Sequence, residues 1–187
     1  MSMLRRYNSA FTIIELLVVI AIIIILAGLI LSTAGYVQKK GARSRAEAEI
    51  AAMSAALESY KADNGIYPKN TDTDNLDSTS DTNPSDYLAA SKYLYGELTG
   101  DRDFDGSTDT ASKSYVPFKP SSLLRADMSA PPSTSNKVTA IRDPFGNSYG
   151  YSTAKASNPS GTIGFNPTYD LWSTANSADP NQWIRNW

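Results

Sequence analysis

Two groups of side chains stand out for the chemistry that their types and spacing allow. The first is a lone carboxylate. Glu15 lies within FTIIELLVVIAIIIILAGLIL (Phe11 to Leu31), a run of 21 residues that only Thr12 and Glu15 interrupt. A charged residue at the centre of a membrane-spanning helix costs about 2.5–3.5 kcal/mol on insertion scales, so it normally has a partner or a task. The second group is the stretch DRDFDGSTD at 101–109. Acids at alternate positions followed by Gly let a short loop wrap oxygen ligands around one hard cation. The candidate calcium ligands are the carboxylates of Asp101, Asp103, Asp105 and Asp109, with the Ser107 carbonyl as a backbone donor. Ser112 stands where an EF-hand places its bidentate Glu, so this is not a complete EF-hand, and a merely solvated acidic loop is the competing reading. Other chemistry is excluded by composition. The chain has no His and no Cys, which removes His-based acid–base catalysis, His-ligated metals, thiolate sites and disulfides. No convergent nucleophile motif replaces them, and an enzyme is not expected.

The elements that must position these residues follow from periodicity. A helix over Phe11–Leu31 is about 30 Å long, the thickness of a bilayer's hydrocarbon core. The leader MSMLRRYNSA (1–10) carries Arg5 and Arg6 and no acid, which predicts a cytoplasmic N-terminus and a C-terminal domain outside the membrane. Conventional signal cleavage between Ala27 and Ala34, or a plain uncleaved anchor, are simpler readings, and neither accounts for Glu15. Beyond the span, Ala46, Ile50, Met53, Leu57 and Tyr60 form one apolar stripe at helical spacing, with Arg43–Glu47 and Arg45–Glu49 as i,i+4 pairs. Asn64-Gly65 stops the helix. If continuous from Phe11 to about Asp63, it measures roughly 80 Å. The domain plan is therefore a leader at 1–10, a transmembrane helix at 11–35, and a globular head at 36–187 that includes the amphipathic half of the helix.

In the head, KNTDTDNLDSTSDTN (69–83) reads as a solvated loop, and 84–98 as a short helix capped by Asn83 or Ser85, with Leu88, Ser91, Tyr95 and Leu98 on one side. Leu123-Leu124 is expected as a turn of helix. Lys137–Arg142 and Ser148–Ser152 read as a hairpin about the turn Asp143–Asn147, and Thr162–Phe165 and Tyr169–Ser173 are expected to supply a third strand. The fold class is α+β, a long helix packed on a small antiparallel sheet. Trp172, Trp183 and Trp187 are expected in the core or at the C-terminal anchor rather than in a carbohydrate surface. Without the leader, 15 basic side chains face 19 acidic ones, a balance that does not suggest a nucleic-acid groove.

Two roles are open to Glu15 on physical grounds. It can snorkel to the interface with no task. Alternatively, a cut between Ala10 and Phe11 would expose an α-amine four residues before it, giving a charge pair within one chain or between neighbours. The run Ala10-Phe11-Thr12-Ile13-Ile14-Glu15-Leu16-Leu17-Val18-Val19-Ile20 resembles the class III signal of type IV pilins and pseudopilins. That resemblance implies cleavage before Phe11 by a prepilin peptidase, N-methylation of Phe11, and a role for Glu15 in subunit assembly, where it neutralises a neighbour's amine. Ala10 departs from the family's usual Gly. Three later stretches resemble the major pseudopilin of type II secretion: YKADNGIYP (60–68), DPFGNSY (143–149), and YDLWS (169–173) with the terminal IRNW. The family carries a calcium-binding acidic loop near its C-terminus. The corresponding region here, Ser173–Trp183, keeps only Asp179, and the 101–109 loop is a candidate substitute.

The resemblance implies a structural subunit of a type II secretion pseudopilus. It would sit single-pass in the bacterial inner membrane with a periplasmic head, work with an inner-membrane secretion platform, and assemble into a homo-oligomeric helical filament. The alternatives are a type IV pilin of a surface filament and a membrane-tethered calcium-dependent binding protein that never polymerises.

Overall fold

The computed structural model describes residues 11–187, and of 32–34 the backbone alone; the leader, with Arg5, Arg6 and Ala10, lies outside the described residues. Helix α1 is Ile13–Asn64. The chain forms two compact units, Met1–Gly41 and Ala42–Trp187.

In the first unit the described apolar side chains from Phe11 to Leu31 are exposed, the reverse of what a core helix requires. This part of α1 is long and apolar enough to cross a membrane, and none of its apolar window is buried within the chain.

In the second unit α1 behaves as an amphipathic helix. Ala46, Ile50, Met53 and Leu57 of the expected stripe are buried, joined by Ala56, and Tyr60 packs at the edge. Gly65 ends the helix with φ +80°, its N–H bonding the Lys61 carbonyl. Helix α3 (Leu88–Thr99) lies on the same core through Leu94, Tyr95 and Leu98. It is preceded by a 3₁₀ turn, Pro84–Tyr87, whose cap Asn83 accepts a hydrogen bond from the Ser85 N–H. Leu88 points outward instead of joining the buried side.

Five short strands make two sheets rather than the single sheet expected. Strand β1 (Leu123–Arg125) pairs antiparallel with β2 (Val138–Ile141), and β3 (Gly150–Ser152), β4 (Asp170–Ser173) and β5 (Ile184–Arg185) form an antiparallel trio in that order. Leu123-Leu124 is therefore strand, not helix; Pro120–Ser122 supplies the helical turn just before it. The expected hairpin partners are joined by the Arg142–Ser148 bridge and one bond from the Tyr149 N–H to the Ile141 carbonyl, while β2 pairs with β1 and β3 with β4. Thr162–Phe165 is not a strand.

The 69–83 segment is more ordered than a solvated loop. It contains helix α2 (Thr71–Asn75), closed by a capping box in which Asn70 and Thr73 bond each other's backbone. Thr73, Leu76 and Ser78 are buried. A second apolar cluster gathers Leu76, Tyr87, Ala90, Trp172 and Trp183, so two of the three tryptophans are core residues as expected.

Candidate functional site

At its N-terminal end α1 is organised by Thr12 and Glu15. The Thr12 N–H and hydroxyl donate to Glu15 Oε2 at 2.9 and 2.8 Å, while the Glu15 N–H reaches Thr12 Oγ1 at 3.3 Å. This is a capping box: Thr12 is the cap and Glu15 the third helical residue, so two donors that helix geometry leaves orphaned are satisfied. The T-x-x-E spacing at 12–15 is the sequence signal for this box. The arrangement holds the carboxylate at the first turn, directly beside the residue that follows Phe11. Among residues 11–31 Glu15 is the sole charged side chain.

The acidic loop begins where α3 ends. Gly100, at φ +70°, caps α3 and lies so close to Ser112 that an added Cβ would stand 2.7 Å from it. The chain then turns into the core at Asp101, whose side chain is wholly buried. Asp101 accepts from the Tyr95 hydroxyl and the Gly106 N–H, both at 2.7 Å, and from the Asp105 N–H at 3.1 Å. Asp109 accepts from the Arg102 N–H at 2.8 Å. Carboxylate oxygens of Asp101, Asp103 and Asp109 all lie within 4.8 Å of one another. Asp105 is turned aside: its Oδ1 takes the Ser107 N–H and hydroxyl at 2.9 and 2.5 Å, and these bonds hold its pKa low. Desolvation pushes the Asp103 carboxyl above the usual carboxylate range, with a hydrogen bond shared with Asp101 and the charges of Asp105 and Asp109 adding to it. Crowded acids of this kind are relieved by a proton or by a cation.

The loop is tied to its surroundings by residues that motif reading passed over. Glu97, on α3 and only 7% exposed, accepts from the Tyr60 hydroxyl of α1 at 2.7 Å and from two Arg102 nitrogens at 2.6 and 3.2 Å. Lys137 donates to the Asp103 carbonyl, and the Val138 N–H to the Phe104 carbonyl, which fixes the loop against β2. Two further buried acids act as loop organisers with no salt bridge among the described residues. Asp143 takes the Phe145 and Asn147 N–H groups and the Ser173 hydroxyl, and burial raises its carboxyl despite these bonds. Asp170 takes the Ser78 hydroxyl and the N–H groups of Phe165 and Asn166. The two expected i,i+4 pairs on α1 differ in outcome. Arg45 meets Glu49 at 3.8 Å, whereas Arg43 donates to the Gln182 carbonyl at 2.6 Å.

A long apolar N-terminal helix, exposed over its first part and followed by small antiparallel sheets, defines a pilin-like α+β protein. Residues 5–31 match the prokaryotic N-terminal methylation motif, so the chain carries the N-terminal signature of the type IV pilin-like proteins. It is homologous to two proteins named type II secretion system core protein G. Against that of Aeromonas hydrophila it is 39% identical over 66 residues, 35% of this chain and 46% of the relative. Against that of Pseudomonas aeruginosa it is 41% identical over 66 residues, with the same coverage of each chain. The chain thus spans just under half the length of these relatives. No solved structure matches it.

Proposed function

We propose that this chain is a structural, non-catalytic subunit of a type II secretion pseudopilus. Phe11 to about Leu31 waits in the inner membrane with the head in the periplasm. A prepilin peptidase cuts between Ala10 and Phe11 and the new amine is methylated. The helices then leave the bilayer and pack side by side into a homo-oligomeric helical filament on the inner-membrane secretion platform, supporting protein export. Head-to-tail packing about a screw axis gives an open filament, as a growing assembly requires.

The observation that carries this reading is the methylation motif ending in a span whose apolar side chains are uncovered and whose single charge is Glu15. Apolar surface exposed in the monomer suits both of its environments, lipid first and then other copies. The carboxylate held beside Thr12 is in place for a neighbour's α-amine. N-terminal mass analysis of the mature chain tests it: the account requires N-methylated Phe11 as the first residue, and an intact Met1 in wild-type cells would favour a plain anchor. The homology to core protein G favours a pseudopilus over a surface type IV pilin. Secretin and secretion-ATPase genes beside the coding sequence would support that choice.

A calcium ion in the 101–109 loop is the second part of the proposal. Asp101, Asp103 and Asp109 would supply carboxylate oxygens, the Ser107 carbonyl a backbone ligand, and Asp105 a ligand if it rotates from Ser107. Support comes from the convergence of three carboxylates and from the raised Asp103. The ion would neutralise the cluster and stiffen the loop that Arg102 fastens to α3 and α1.

A further inference from the structure

Just beyond the apolar run, α1 presents Tyr36, Lys39 and Lys40, all exposed, with Tyr36 at 72%. Their spacing is i, i+3, i+4, which places the three on one face of the helix. They lie within the first compact unit. The next two cations, Arg43 and Arg45, are already engaged by the Gln182 carbonyl and by Glu49. Lys39 and Lys40 have no salt bridge among the described residues.

Depth decides what these lysines meet. At 1.5 Å per residue, Tyr36 lies about 38 Å along the helix from Phe11, and Lys39 and Lys40 about 42–44 Å. A bilayer is about 30 Å thick in its hydrocarbon core and about 40–45 Å with its headgroups. With Phe11 at one edge of the core, the far headgroup layer lies about 30–38 Å along the helix, so Tyr36 emerges at its outer limit and its side chain, inclined toward the helix N-terminus, reaches back into the interfacial belt where aromatic rings with a polar tip concentrate. Lys39 and Lys40 emerge a few Å beyond that layer, and their long side chains, inclined the same way, can snorkel back to the lipid phosphates.

We propose that Tyr36, Lys39 and Lys40 form an anionic-phospholipid site on the outer leaflet of the membrane, holding the waiting subunit at fixed depth. The ring leans back into the headgroup layer while the two ammonium groups donate to lipid phosphate oxygens. The site rests on the reading of Phe11–Leu31 as a membrane span. It adds a step to assembly, since these contacts must break when a subunit leaves the bilayer. Lipid is favoured over a second copy as the partner because the length of the apolar run brings both cations within side-chain reach of the far headgroup layer, whose phosphates complement their charge.

The test uses the full chain in phosphatidylcholine vesicles containing phosphatidylglycerol, compared with a K39Q/K40Q double variant. Native mass spectrometry of extracted protein reads phosphatidylglycerol retained per chain, and alkaline carbonate extraction reads anchoring. Wild type should retain phosphatidylglycerol about an order of magnitude better than the variant, the scale set by two lysines near an anionic surface, with both chains resistant to carbonate. Equal retention with both chains carbonate-resistant overturns the site and leaves the anchor standing. Release of the wild-type chain by carbonate overturns the anchor, and the site with it. Unchanged retention together with lost copy-to-copy crosslinking in the variant assigns the lysines to a second copy and likewise overturns the proposal.

Discussion

Replacing Glu97 by alanine tests how the acidic loop is held to the helical stem. The carboxylate accepts the Tyr60 hydroxyl at 2.7 Å and Arg102 at 2.6 and 3.2 Å. The Tyr60 bond has a charged acceptor, and bonds of that kind contribute about 1.5–3 kcal/mol. The Arg102 pair is weaker than its geometry suggests. The Arg102 side chain is 63% exposed against 6% for Glu97, so solvent screens the pair, which contributes about 0.2–1 kcal/mol. E97A therefore costs about 2–4 kcal/mol, which for a domain of this size lowers Tm by about 6–12 °C. R102A keeps the Tyr60 bond and costs about 1 kcal/mol or less. All three tryptophans lie in the second unit, so intrinsic fluorescence of the full chain in detergent follows its melting. A Tm for E97A within a degree of wild type would refute the reasoning. R102A matching or exceeding E97A would place the energy in the exposed ion pair and refute it as well.

Three other outcomes follow from the same geometry. A Cβ added at Gly150 would stand 2.2 Å from the Trp172 ring, which is wholly buried and packed against Tyr87 and Trp183. G150A should therefore lose about 3 kcal/mol in a denaturant melt, and wild-type stability would show that the ring moves freely. Burial raises the folded-state pKa of Asp143 above its unfolded value, so this group's contribution to stability is full below the unfolded pKa and is lost as pH rises through the folded one. Asn at 143 lacks that loss, so the Tm of D143N relative to wild type should climb from pH 3 to pH 7; a fall would reverse the assigned sign. Chelation tests the metal. EDTA should lower the Tm of calcium-loaded protein, by the equivalent of about 2.7 kcal/mol if calcium was present at a hundredfold its Kd, and D103N/D109N should abolish the response. An EDTA-insensitive Tm removes the site.

The features that depend on one long period were legible in the sequence. Phe11–Leu31 announces a span, and Ala46, Ile50, Met53 and Leu57 mark the buried face of α1, because a helix face repeats often enough to be read without knowing its partner. The short strands were less so. Two to four residues carry too little alternation to specify a partner, and β2 chose β1 over β3 through tertiary packing that no local signal records. The 69–83 stretch misled for another reason. Its Asn, Thr, Ser and Asp side chains bond backbone and one another, so polarity there builds structure that composition reads as solvation. The acidic loop shows both sides: spacing picked out Asp101, Asp103 and Asp109, but not that Asp105 turns to Ser107 or that Glu97 and Arg102 fasten the loop to α1.

The central claim concerns Glu15, and its most direct measurement is filament incorporation of E15V in cells assembling the wild-type subunit. A disulfide-crosslinking ladder between engineered cysteines would read neighbours, since the native chain has none of its own. The account predicts that E15V inserts and is processed to Phe11 at wild-type level yet is absent from sheared filaments and from the ladder. Assembly of E15V at the wild-type level would contradict it.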